Sequence, residues 1–376
     1  MQITALLLAI LLITLIIWRK ALARFGRMIM FGLSIINDGK SRIVGWFTGP
    51  IEFIETTYPD DAGDLPIKIY QPLKVTRPLP AVILYHGITA KGIDHPAINL
   101  LARNLVRLGL RVYYPELPHL REMRFHPDTY QRIKNIYQQV AARPEVLADK
   151  IVITGISFSG GLVVKVGTDP EINPAAILSF GSYYNLSTVL RFFFTGQASY
   201  GDLEIRVKPH DYTKAVWFWN YLDYLDLPFE TDRVRHCIGL FIRDDKTAAD
   251  EIYRACSVAE QEFLTAAFEP ADPRALVYLE AAEPRLREQL DAISPHTLIA
   301  NVKTPVFVVH GIRDDMVPYT QALEFADDLK KHGKTVYLYI MRLYAHNKAA
   351  RSTLTEAIRE IRGLNGILTN LLKILE

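Results

Sequence analysis

The stretch Ile151-Val152-Ile153-Thr154-Gly155-Ile156-Ser157-Phe158-Ser159-Gly160-Gly161-Leu162-Val163-Val164 decides how this chain is to be read. Four β-branched residues in a row indicate a buried strand that runs straight into Gly155, and Leu162-Val163-Val164 opens a helical run. A serine in such a sharp strand-to-helix turn is lifted above the sheet, and the crowding there admits only small neighbours. Ser157 follows Gly155 at that point. Ser159 is the rival, with Gly161 two residues after it but Ser157 where a glycine is expected before it. A glycine-serine turn with no chemistry is the plain alternative.

The surroundings extend the same pattern. From about Ile51 short apolar runs alternate with longer helical ones, which predicts a mostly parallel sheet covered by helices on both faces, an α/β fold. Strands are expected at Ile67–Tyr70, at Ala81–Tyr85 ending in His86-Gly87, at Arg111–Tyr114, at Ala175–Phe180, at Val306–Val309 and at Val336–Ile340. A helix is expected from Pro96 to Leu108, and helical spacing returns after Arg351. The interval from about 186 to 293 breaks the alternation. It holds Phe192-Phe193-Phe194 and a run from Val216 to Asp226 in which Asn220, Asp223 and Asp226 recur every third residue, read as a helix with one polar stripe. We expect an inserted helical lid there, with aromatic side chains packed in an ordinary core as the alternative.

At 376 residues the chain can bury a large core, and its net charge of +2 gives no reason to expect nucleic acid as a partner. Only two cysteines occur, Cys237 and Cys256, without spacing for zinc, a redox dithiol or a disulfide framework. No His-x-His or His-x-x-x-His pair is present, so the expectation is chemistry with no metal and no cofactor.

Residues 1–20 open with an uncharged apolar run from Met1 to Trp18, followed at once by Arg19 and Lys20. That length just spans a bilayer core of about 30 Å, which predicts an N-terminal membrane anchor; a cleaved signal peptide and an ordinary buried helix are the alternatives. The cations that follow, with Arg24 and Arg27, would put the body on the cytoplasmic side. The expected organisation is an anchor over 1–20, a juxtamembrane segment over 21–50, and a catalytic domain over 51–376.

Serine at neutral pH is a poor nucleophile and needs a base oriented by a third group. The turn around Ser157 resembles the nucleophile elbow of the α/β-hydrolase superfamily, Gly-x-Ser-x-Gly, with Ser159 in place of the last glycine. His310-Gly311-Ile312-Arg313-Asp314-Asp315-Met316-Val317-Pro318 looks like that superfamily's acid loop and selects Asp314, with Asp315 and a helix N-cap as alternatives. Leu343-Tyr344-Ala345-His346-Asn347 follows one further strand, where the superfamily places its histidine. The resemblance therefore implies a catalytic set of Ser157, Asp314 and His346. It also implies oxyanion donors at the N–H groups of Phe158 and Ile88, with His86 supporting the second loop. Relatives that act on halides or epoxides carry Asp where Ser157 stands.

An aromatic-rich insertion over a serine nucleophile favours small apolar esters or lipid-like substrates, because such a pocket gains affinity from buried area. The expected function is a serine hydrolase of the carboxylesterase or lipase-like kind. A peptidase, an acyltransferase and a non-catalytic membrane-tethered binding protein are the alternatives on the same fold.

Overall fold

The computed structural model describes residues 21–32, 34, 42–61, 63–270, 272–342, 344–345, 348–349 and 354–376. Strands β1 (Ile51–Tyr58), β2 (Leu65–Pro72), β3 (Leu79–Tyr85), β4 (Arg111–Pro115), β5 (Val146–Ile156), β6 (Ala176–Phe180), β9 (Val306–Gly311) and β10 (Val336–Met341) make one eight-stranded sheet in the order β1-β2-β4-β3-β5-β6-β9-β10. Strands β7 (Gln197–Tyr200) and β8 (Leu203–Arg206) form a separate hairpin. Strands β3, β4, β5, β6, β9 and β10 run parallel, while β1 and β2 pair antiparallel at one edge. Every strand expected from the sequence is present.

Period-two alternation explains why the sheet is covered on both sides. In β3, Val82 and Leu84 pack into one core with helix α3 (Pro96–Val106) and helix α14 (Leu354–Leu375), whereas Ala81, Ile83 and Tyr85 pack into the other with α5 (Asp128–Ala141) and α6 (Phe158–Gly167). These strands are apolar on both faces because neither face meets water.

The insertion between β6 and β9 contains helices α7 (Leu186–Thr195), α8 (Tyr212–Tyr221), α9 (Asp232–Ile242), α10 (Lys246–Arg254), α11 (Val258–Phe268) and α12 (Leu276–Ile293). Its aromatic side chains are mostly core: Phe192, Phe194, Trp217, Phe218 and Phe263 are buried, and Phe194, Trp217 and Phe218 meet edge to face. The polar stripe expected from Val216 to Asp226 does not lie on one helix. The α-helix ends at Tyr221 and a 3-10 turn covers Leu222–Tyr224. Asn220 turns inward instead: its Oδ1 accepts from Phe125 N at 2.7 Å, and its Nδ2 donates to Met123 O at 2.9 Å.

The N-terminal expectation requires correction. Residues 1–20 lie outside the described residues, and among the described residues no helix is long and apolar enough to cross a membrane, so a single-pass anchor with a cytoplasmic body is not supported. The segment read as juxtamembrane belongs in part to the body. Helix α1, over 21–32, buries Met28 and Phe31 in the same core as α3 and α14, and α2 (Arg42–Thr48) precedes β1. Arg27 donates to Leu108 O at 3.1 Å and Arg24 pairs with Glu376 at 3.3 Å, so these cations are engaged by the protein itself.

Candidate active site

In a parallel sheet the loops that leave the carboxyl ends of the strands lie along one edge. The turn after β5 and the loop after β9 both leave that edge, with β6 between them. Two strand spacings separate them by about 10 Å, room for an imidazole to bridge a serine and a carboxylate.

Ser157 stands at φ 56°, ψ −126°, in a region that L-residues rarely adopt. Its N–H is tied to Phe180 O at 2.8 Å and its carbonyl accepts from Gly160 N at 2.9 Å, so the turn is fixed from both sides. Glycine is required at two neighbouring positions. A Cβ on Gly155 would fall inside the contact distance of the Ser159 backbone, and one on Gly87 would lie 2.7 Å from Ser157 Cβ and 2.9 Å from Ile156 O. The second approach brings the loop of His86, Gly87 and Ile88 directly against the serine.

Ser159, the rival, is fully buried and its hydroxyl is committed. Its Oγ lies 3.0 Å from Tyr85 O and accepts from Ile156 N at 2.9 Å, pinning the end of β5 to the end of β3. The geometry of a strained turn belongs to Ser157, and the fastening of that turn to Ser159.

Phe158 is the first residue of α6, where the leading N–H groups have no acceptor within the helix. His86 is fully buried behind the neighbouring loop, as its expected supporting role requires. Its Nδ1 faces Gly87 O at 2.7 Å and its Nε2 faces Glu116 Oε1 at 2.8 Å. Glu116 also accepts from Arg121 at 2.8 Å and from Ile93 N at 3.3 Å. Burial pushes the Glu116 carboxyl up, but His86, the Ile93 N–H and Arg121 outweigh it and hold it below the usual range.

Asp314 is buried, and its Oδ1 accepts from Met316 N at 2.9 Å and Val317 N at 2.8 Å. Helix α13 (Thr320–Lys331) begins beyond this turn and carries no side-chain cap, so neither Asp314 nor Asp315 serves as its N-cap. Asp315 is only partly buried, and its main-chain carbonyl accepts from His210 N at 3.0 Å. His310 Nε2 stands 3.4 Å from Asp314 Oδ2, but that nitrogen donates to Val317 O at 2.8 Å and is thereby occupied. His346 lies outside the described residues. The short paired strands Tyr344–Ala345 and Lys348–Ala349 flank it in sequence after β10.

The sequence pattern did not reveal the aromatic cluster around Phe158, the residue after Ser157. Phe125 stacks on Phe158 with ring centroids 4.4 Å apart, Tyr221 lies 5.8 Å from Phe125, and Tyr183 lies 5.3 Å from Phe158. These rings come from four separate segments, so no spacing along the chain could have grouped them.

The prolyl oligopeptidase family model matches residues 263–362, which include Asp314 and position 346 but not Ser157. Among solved structures, an uncomplexed acylaminoacyl peptidase of Pyrococcus horikoshii is similar over 89% of this chain and 45% of its own, with 16% identity and a TM-score of 0.51. A puromycin hydrolase is similar over 86% of this chain and 40% of its own, with 12% identity and a TM-score of 0.52. The chain thus spans less than half the length of these relatives. No curated protein matches it. At these identities the likeness shows the fold alone, an α/β-hydrolase-like fold with a mostly parallel central sheet flanked by helices.

Proposed function

We propose that the chain hydrolyses carboxylic esters of apolar substrates through an acyl-enzyme on Ser157. The observation that carries this reading is the strained Ser157 turn, with Gly87 packed against it and the buried Asp314 at the same sheet edge. Ser157 Oγ attacks the acyl carbon while His346 takes its proton, and the N–H groups of Phe158 and Ile88 receive the oxyanion. Collapse breaks the ester C–O bond, and His346 returns the proton to the departing alcohol. Water then attacks the acyl-enzyme, giving its proton to His346, which passes it back to Ser157. Asp314 orients the imidazole throughout and stabilises its charged form. No step calls for a metal or cofactor. The rings of Phe125, Phe158, Tyr183 and Tyr221 supply an apolar wall for the acyl group, and the insertion that carries Tyr221 acts as the lid.

A second reading, peptide bond cleavage, is favoured by the prolyl oligopeptidase match over the C-terminal part of the chain. One experiment tests both. Wild type and Ser157→Ala are treated with a fluorophosphonate probe and assayed on p-nitrophenyl esters of graded acyl length and on the matching anilides. The proposal expects labelling of wild type alone, ester turnover that rises with acyl length, and a loss of about 10⁴-fold or more in the variant. Anilide cleavage at rates equal to the esters would select the peptidase reading. Unchanged labelling of Ser157→Ala would remove Ser157 from the mechanism.

A further inference from the structure

The loop between β4 and α5 folds back so that its two ends meet. Helix α4 (Pro118–Arg121) brings His119 to one end, and His126 and Asp128 stand at the other, where α5 begins. The rings of His119 and His126 stack with centroids 4.1 Å apart and 26° between planes. The Asp128 carboxylate lies 3.5 Å from His126 Nδ1. One donor atom from each of the three side chains falls within 4.8 Å of the others. His119 Nδ1 is buried and has no hydrogen-bond partner among the described residues.

We propose that His119, His126 and Asp128 form a binding site for a divalent transition-metal ion of the Zn²⁺ type. Two imidazole nitrogens and one carboxylate oxygen are the donor set that Zn²⁺ takes at about 2.0–2.2 Å, with a fourth position left for water. Ca²⁺ and Mg²⁺ require more oxygen ligands than this trio offers. Tetrahedral coordination needs donor atoms about 3.3 Å apart. The side chains of His126 and Asp128, 42% and 65% exposed, are free to close that distance by rotation. The bound ion ties the two ends of the loop whose intervening Phe125 lies on Phe158 and whose main chain is held by Asn220.

The test is calorimetric titration of the full chain, first stripped with chelator, with ZnCl₂, repeated with CoCl₂ to read tetrahedral ligand-field bands. The expected result is one saturable site, weakened in His126→Gln by more than the ~10–100-fold that loss of a mere supporting partner costs. Zn²⁺ raises the melting temperature of wild type and not that of the variant. Should His126→Gln lower the metal-free melting temperature, Asp128→Asn, an isosteric change on an exposed side chain, gives the same reading. The absence of saturable binding, or equal binding by wild type and the variants, overturns the proposal. Turnover plays no part in the readout, so its outcome is independent of the role proposed for Ser157.

Discussion

Two segments shape the surroundings of Ser157, and they are held by opposite means. The turn Gly155–Gly161 is fixed by main-chain crowding: a positive φ at Ser157, glycines where a Cβ would collide, and a buried serine hydroxyl spent on backbone groups. The segment from Glu116 to Asp128 is fixed by side chains that meet at a distance: Glu116 with His86 and Arg121, Phe125 with Phe158, and Asn220 reaching in from the insertion. Crowding tolerates almost no change of residue, whereas side-chain pairs can be altered one at a time. The first arrangement suits the nucleophile proposed at Ser157, whose position must not drift, and the second suits the proposed acyl wall, whose shape would set selectivity.

The largest expected effect tests whether the acid belongs with the rigid part. Asp314→Asn keeps a group able to accept from Met316 N and Val317 N but loses the charge that holds the base, and ester turnover should fall by about 10³- to 10⁴-fold. A loss under tenfold would show that another carboxylate does this work. Ser159→Ala separates fastening from chemistry. It leaves Ile156 N–H without its partner and should cost about 1–3 kcal/mol of stability in a denaturant melt, with turnover retained. If turnover vanished while the fold stayed intact, the choice of Ser157 over Ser159 would be reversed.

Phe125→Ala addresses the wall. It should lower kcat/KM by about tenfold for long or aromatic acyl groups and leave acetyl esters nearly unchanged. An equal loss on both would mean that the ring supports Phe158 without touching substrate. The smallest effect concerns acid stability. The Glu116 carboxyl is held below its usual range in the folded chain, so its contribution is complete above the unfolded value of about 4.3 and fades as pH falls through the folded value. The melting-temperature advantage of wild type over Glu116→Gln should therefore be full at neutral pH and shrink on acidification below that range. An advantage constant down to acid pH would deny the coupling.

The insertion marks where pattern and packing part company. Val216–Asp226 carries a polar residue every third position, a spacing that reads as a solvated stripe, but the helix stops at Tyr221 and Asn220 bonds inward to the Phe125 loop. Periodicity reports which residues share a face only while one helix lasts. The N-terminal arginines teach the same caution. A cation after an apolar run fits a membrane edge equally well as a carbonyl such as that of Leu108 or a carboxylate such as that of Glu376, and only the packed chain shows the partner.

The sheet, the turn at Ser157 and the loop at Asp314 were legible in the sequence, because each depends on neighbours along the chain: β-branched runs, glycines beside a strained residue, and a carboxylate closing its own turn. Packing of the whole chain was needed to show that Ser159 is spent on the backbone, that Glu116 stands behind His86, that the rings of Phe125, Phe158, Tyr183 and Tyr221 meet, and that His119, His126 and Asp128 converge. Those facts depend on distances between segments far apart in the chain, which local propensity does not encode.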